Sequence, residues 1–153
     1  MKTPSPWRKK AQIGLGRSLQ TLLRSWQDES SRLLAERGWA GLSLAHTVLL
    51  ENLDEEGSRC TTVTERAGLR KQSMGTIAEI LEAQGCIVMS DDPEDGRARI
   101  MRFTERGHLF LADARAVAAE IEGRYEALVG VLDYAAFRRA IAKLVVTTME
   151  APK

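Results

Sequence analysis

Gln72 and Thr76 stand four residues apart, with Lys71 and Ser73 beside the glutamine and Gly75 beside the threonine. These side chains donate and accept hydrogen bonds, and none forms a nucleophile–base pair. Their chemistry is recognition. Glutamine can address adenine bidentately, and such a pair discriminates against a wrong base by about 1–3 kcal/mol. Gly75 has no side chain and would admit a close approach. Arg97 and Arg99 lie two apart and on a strand would share one face. Arginines at a hairpin tip suit the negative potential of a narrow minor groove. Asp91, Asp92 or Asp95 could instead pair with Arg97 and hold the loop. Thr61, Thr62, Arg66 and Arg70 carry hydroxyls and cations suited to phosphate oxygens, although Thr62 could equally be a plain helix cap.

Local pattern says which elements would carry these groups. Met74, Ile77, Ala78 and Leu81 fall at helical spacing on one side, which leaves Gln72, Thr76, Glu79 and Ala83 opposite. This helix ends near Gly85. Before it, Thr62-Val63-Thr64-Glu65 spells a capping box opening a short helix that stops at Gly68. Two short helices across a glycine turn read as a helix-turn-helix. Cys86 to Met89 is β-prone, Ser90 to Gly96 is a polar turn, and Arg97 to Phe103 is a second strand. A helix-turn-helix followed by a hairpin is the winged-helix layout. The plain alternative is that the polar helix face is simply solvated.

Further out, Leu15, Leu19, Leu22, Leu23, Trp26, Leu33 and Leu34 form one helical stripe, and Ser43 can cap a helix through Leu50. Thr104 can cap a long helix from Glu105 to Val131, with Leu109, Ala112, Val117, Ile121, Tyr125 and Leu128 among its apolar positions. Asp133 can cap a last helix bearing Phe137, Ile141, Leu144 and Val145. The fold class expected is mainly α with a small β-hairpin wing.

Composition sets the bounds. The 153 residues fit one domain, and 44% hydrophobic and 28% charged content is that of a globular chain. No apolar run is long enough for a membrane span, and no apolar stretch follows the basic Lys2, Arg8, Lys9 and Lys10 as in a secretory signal. Two cysteines, Cys60 and Cys86, argue against a disulfide framework and suit a reducing cytoplasm as small buried hydrophobes. The net charge of +1 is small but segregated: residues 1–24 hold six basic side chains and no acidic one. Residues 59–73 are locally basic, while Glu51, Asp54, Glu55 and Glu56 are acidic. One face is thus prepared for an anion. No metal-ligand spacing, phosphate loop or nucleophile elbow is visible, so neither a metal, a cofactor nor an enzyme activity is expected.

Residues 43–107 resemble the multiple-antibiotic-resistance regulator (MarR) family. The resemblance rests on Arg70-Lys71-Gln72-Ser73-Met74-Gly75 at the recognition helix and Leu81-Glu82-Ala83-Gln84-Gly85 before the wing. It continues in Asp92-Pro93-Glu94-Asp95-Gly96-Arg97-Ala98-Arg99 and in Thr104-Glu105-Arg106-Gly107. Gly96 stands where many members have arginine, and Val88-Met89-Ser90 lacks the basic residues often found there. The resemblance implies a single domain over residues 1–153. Dimerisation helices would occupy 12–37 and 108–149, around a winged helix-turn-helix DNA-binding lobe at 43–104. It also implies a homodimer on a pseudo-palindromic double-stranded operator, usually a repressor released by a small, often aromatic effector or by cysteine oxidation. Trp26, Trp39 and His46 could line an effector pocket, although such residues more often pack in cores. A winged-helix module that binds protein without reading DNA is the competing function; a small helical enzyme is a third.

Overall fold

A computed structural model describes residues 14–150. Lys2, Arg8, Lys9 and Lys10, and the start of the 12–37 segment, lie outside the described residues. The elements are α1 (Leu15–Glu36), α2 (Leu44–Glu51), β1 (Ser58–Arg59), α3 (Cys60–Arg66), α4 (Lys71–Ala83), β2 (Ile87–Asp92), β3 (Asp95–Phe103), α5 (Glu105–Val129) and α6 (Val131–Glu150). Helix dominates, with one three-stranded antiparallel sheet in the order β1-β3-β2. The chain divides into two compact units, the first reaching Ala114 and the second beginning at Arg115, so the division falls within α5.

In the first unit α2 packs against α1 and α4, and α4 against β2. Leu33, Leu34, Leu42, Leu49, Leu50, Val63, Met74, Leu81, Ile87, Met101 and Phe110 are buried there. The capping residue expected for α2 is present: Ser43 is extended, and its backbone N–H donates to His46 Nδ1 at 3.0 Å. This is a capping box in which an imidazole stands in the place usually taken by Glu or Gln. Nδ1 can accept only as the neutral ring, and burial lowers the pKa of His46 below the ordinary imidazole value.

Gly68 (φ +62°) supplies the left-handed turn between α3 and α4, a conformation that side-chain-bearing residues avoid. At Gly107 the constraint is space: a Cβ would overlap the carbonyl oxygen of Cys86. That close approach seats the first turn of α5 on the base of the hairpin. Thr104 caps α5 as expected, accepting from Gly107 N–H at 3.0 Å while its hydroxyl donates to Gly85 O at 2.6 Å.

Several boundaries differ from expectation. Helix α3 opens at Cys60, so Thr62 sits inside the helix and Thr62–Glu65 is no capping box. The cause is non-local: Arg59 is held extended by pairing with Ile100, and the helix starts directly after it. The hairpin is longer than expected. Asp92 pairs with Asp95, leaving only Pro93 and Glu94 at the tip, with an irregularity at Asp91/Asp92.

In the second unit Gly130 (φ +93°) separates α5 from α6, and α6 starts at Val131, which puts Asp133 in its first turn and not at its cap. Arg138 pairs with Glu122 at 3.0 Å, joining the two helices of this unit. Leu109 and Leu128, two of the apolar positions expected on α5, are exposed in the single chain, as are Phe137, Leu144 and Val145 of α6. On α1, Leu15, Leu19, Leu22 and Leu23 are exposed too, and only Leu33 and Leu34 of that stripe are buried.

His46 makes stability depend on pH in a defined direction. Its folded-state pKa is lowered, so above about pH 6.5 both states hold the neutral ring. Below that the unfolded chain gains a proton first, and stability falls until the folded pKa is reached. Urea unfolding of the wild type should therefore weaken between pH 7 and 5 more than that of His46→Gln, which keeps a capping partner. Parallel pH profiles for the two proteins would remove His46 as the source.

Candidate nucleic-acid interface

Helix α4 buries Met74, Ile77, Ala78 and Leu81, and the opposite face carries Lys71, Gln72, Ser73, Gly75, Thr76 and Glu79 into solvent. The five residues singled out on this helix are all exposed, and Arg70, its N-cap, is exposed beside them. Arg97 and Arg99 project from β3, both exposed. Asp91 is the cross-strand partner of Arg99, and Asp95 Oδ1 accepts from the backbone N–H of Arg97 at 3.1 Å. That bond shapes the turn without engaging the Arg97 guanidinium. Among the described residues Arg70, Lys71, Arg97 and Arg99 form no ion pair.

Two other arginines are committed. Arg66 Nη1 donates to both carboxylate oxygens of Asp54 at 2.8 Å, and Asp54 also accepts from Ser58 Oγ at 2.7 Å. The Ser58 hydroxyl and then Arg66 hold the Asp54 carboxyl below its ordinary pKa. Thr61 is exposed and Thr62 half-buried in the first turn of α3. Arg59 Nε donates to Asp92 Oδ2 at 2.6 Å. Asp92, weighed from the sequence as a partner of Arg97, is thus engaged by Arg59 instead, and the roles of Arg59 and Asp54 escaped the sequence reading of the site because their partners lie 33 and 12 residues away.

Hairpin and helix are also tied directly, since Glu82 Oε1 accepts from Met89 N–H at 3.1 Å. The carboxylate at the end of α4 thereby fixes the start of β2. The presented surface is a polar helix face flanked by a strand with two unpaired guanidiniums. Such a surface can read base edges with one part and hold an anionic backbone or groove with the other.

The three residues considered for an effector stand in different settings. Trp39 is buried, its indole N–H donates to Asp113 Oδ2 at 2.7 Å, and its ring meets Phe110 edge-on at 5.3 Å. Arg106 lies over the same ring at 4.5 Å, so packing accounts for Trp39. Trp26 is half-buried on α1. His46 is buried, with Nδ1 engaged at the α2 cap and Nε2 without a hydrogen-bond partner. Cys60 and Cys86 are free thiols whose pKa values are raised, in both cases chiefly by burial. Among the described residues no His, Cys, Asp and Glu cluster could hold a metal ion, and no helix is long and apolar enough to cross a membrane.

The sequence matches no family model and no curated protein. Solved structures do match. MarR itself is similar with a TM-score of 0.78 at 23% identity, over 91% of this chain and 100% of that one. The transcriptional repressor CouR, bound to a 23-mer DNA duplex, is similar with a TM-score of 0.73 at 22% identity, over 95% and 99%. Bordetella bronchiseptica BpsR, whose DNA binding is regulated by 6-hydroxynicotinic acid, is similar with a TM-score of 0.73 at 19% identity, over 93% and 97%. The chain has the winged-helix fold of the MarR-family regulators.

Gly75 separates what the fold needs from what a partner needs. A Cβ there would meet nothing within 4 Å, and a helix-interior glycine costs about 0.5–1 kcal/mol relative to alanine. Gly75→Ala should thus raise stability in urea by about that amount. A loss of stability instead would show that the fold itself requires the glycine.

Proposed function

We propose that this chain is a MarR-type transcriptional regulator, a homodimer that binds a pseudo-palindromic double-stranded DNA operator in the cytoplasm and represses transcription until a small aromatic effector releases it. One observation carries the reading. The exposed polar face of α4 and the unpaired Arg97 and Arg99 of the wing are presented together, on a recognition helix whose apolar side is buried. Lys71, Gln72, Ser73, Gly75 and Thr76 read base edges in the major groove, and Arg97 and Arg99 enter the adjacent minor groove. Thr61, Thr62, Arg66 and Arg70 meet phosphates. Asp54 holds Arg66 in place for this, at the cost of part of its charge.

The homodimer is supported by apolar surface that a single chain leaves bare. Leu128 and Leu132 are 79% and 84% exposed at the α5–α6 junction, with Val129 and Val131 between them. A second copy covers such surface and doubles the recognition helix into a pair of half-site readers. The effector reading leans on the ligand-regulated relatives of the same fold. Of Trp26, Trp39 and His46, the histidine has a buried nitrogen left to offer.

Selection of bound fragments from random DNA, followed by binding across a salt series, tests the whole. An inverted repeat should emerge, with affinity falling by about 0.9 logarithmic units per phosphate contact for each tenfold rise in salt. A flat salt response together with protein capture would favour the other use of a winged helix, as a protein-binding module. Gln72→Ala should relax base preference at one position of each half-site by about 1–3 kcal/mol, whereas Arg66→Ala should weaken all sequences alike. Equal losses on specific and random DNA for Gln72→Ala would contradict its role as a reader. In sedimentation, Leu132→Glu should shift the protein toward monomer and abolish the gain from a second half-site. A variant that stays dimeric would place the interface elsewhere.

A further inference from the structure

Asp92 is the one buried carboxylate among the described residues, and it lies near the tip of a solvent-facing hairpin. An isolated buried charge is costly, so its partners show what it does. Oδ1 accepts from Glu94 N–H at 2.9 Å and closes the two-residue tip. Oδ2 accepts from Arg59 Nε at 2.6 Å, with the Asp92 side chain 4% exposed. The carboxyl is held below its ordinary pKa first by the Glu94 amide and also by Arg59, so the pair is charged at neutral pH.

The strand order decides the consequence. Arg59 belongs to β1, Asp92 to β2, and β3 runs between them. The ion pair therefore spans the middle strand, and that strand carries Arg97 and Arg99. Arg59 is also the N-cap of α3, while Glu82 of α4 holds Met89 at the other end of β2. Both helices of the motif are thus tied to the wing, one at each end of β2.

Resting on the DNA-binding reading above, we propose that Arg59 and Asp92 are positioning residues that lock the wing to the helix-turn-helix. The lock sets the register between minor-groove contact by Arg97 and Arg99 and base reading by α4. The pair does a second thing. It turns an acidic group at the tip inward, where it does not oppose phosphate.

Arg59→Gln, Asp92→Asn and the double variant, each compared with the wild type on selected operators, test this. Asparagine at 92 can still accept from the Glu94 amide, so the tip itself is kept. The expected result is a loss of about tenfold in the preference for A·T-rich sequence under the wing, with discrimination at the bases under Gln72 and Thr76 retained. The double variant should be no worse than either single, because the two share one interaction. Amide exchange at the tip, Glu94 above all, should quicken in Arg59→Gln while α4 stays protected. The proposal is overturned if Asp92→Asn binds as tightly as wild type or tighter, which would make Arg59 a phosphate contact that Asp92 restrains. It is equally overturned if flank and core discrimination fall together with thermal stability, a mere loss of fold. Should the wild type bind no DNA selectively, the regulator reading fails by itself. The exchange data would then still decide whether the pair holds the wing.

Discussion

Helix α4 can bury only one side. Met74, Ile77, Ala78 and Leu81 occupy the face turned to α2 and β2, and their spacing compels Gln72 and Thr76 to point away. Everything proposed for the interface depends on this. Removing apolar side chains from water drives the helix onto the core at about 25 cal/mol per Å². The same contact aims the polar side chains outward, so the orientation of the reading groups comes from packing and not from any interaction among themselves. Rotation of the helix by even one residue, about 100°, would expose Met74 and turn Thr76 or Glu79 toward the core.

Around that helix the cations fall into two groups. Arg59 and Arg66 are neutralised by Asp92 and Asp54, while Arg70, Lys71, Arg97 and Arg99 form no ion pair among the described residues. This division accounts for a chain whose net charge is only +1 yet which presents a basic strip. Surface ion pairs such as Arg66–Asp54 add little to stability, and their value here is geometric. They hold loops and strands in place so that unpaired cations of the same surface stand at fixed separations.

The second unit presents the opposite situation. Leucines and valines along α5 and α6 are exposed in the single chain, as is the first half of the α1 stripe. Apolar surface of this extent on long helices is what the proposed homodimer would cover.

The sequence by itself determined what depends on neighbours within a turn or two: the face of α4, the glycine turn at Gly68, the Thr104 cap and the existence of a hairpin. Periodicity and capping are local physics, and Gln72 and Thr76 could be assigned to the outer face from spacing alone. Tertiary structure decided the rest. Helix α3 opens at Cys60 because Arg59 pairs with Ile100, a contact that no capping signal at Thr62 could anticipate. The same distance in sequence hid the Arg59–Asp92 bond and the indole bond from Trp39 to Asp113. Periodicity shows that a helix has an apolar side but not what covers it, so it could name Leu109, Val117, Ile121 and Leu128 together without telling that Val117 and Ile121 are buried while Leu109 and Leu128 are exposed. Which distant groups meet is settled by how the local elements pack, and spacing along the chain does not contain that.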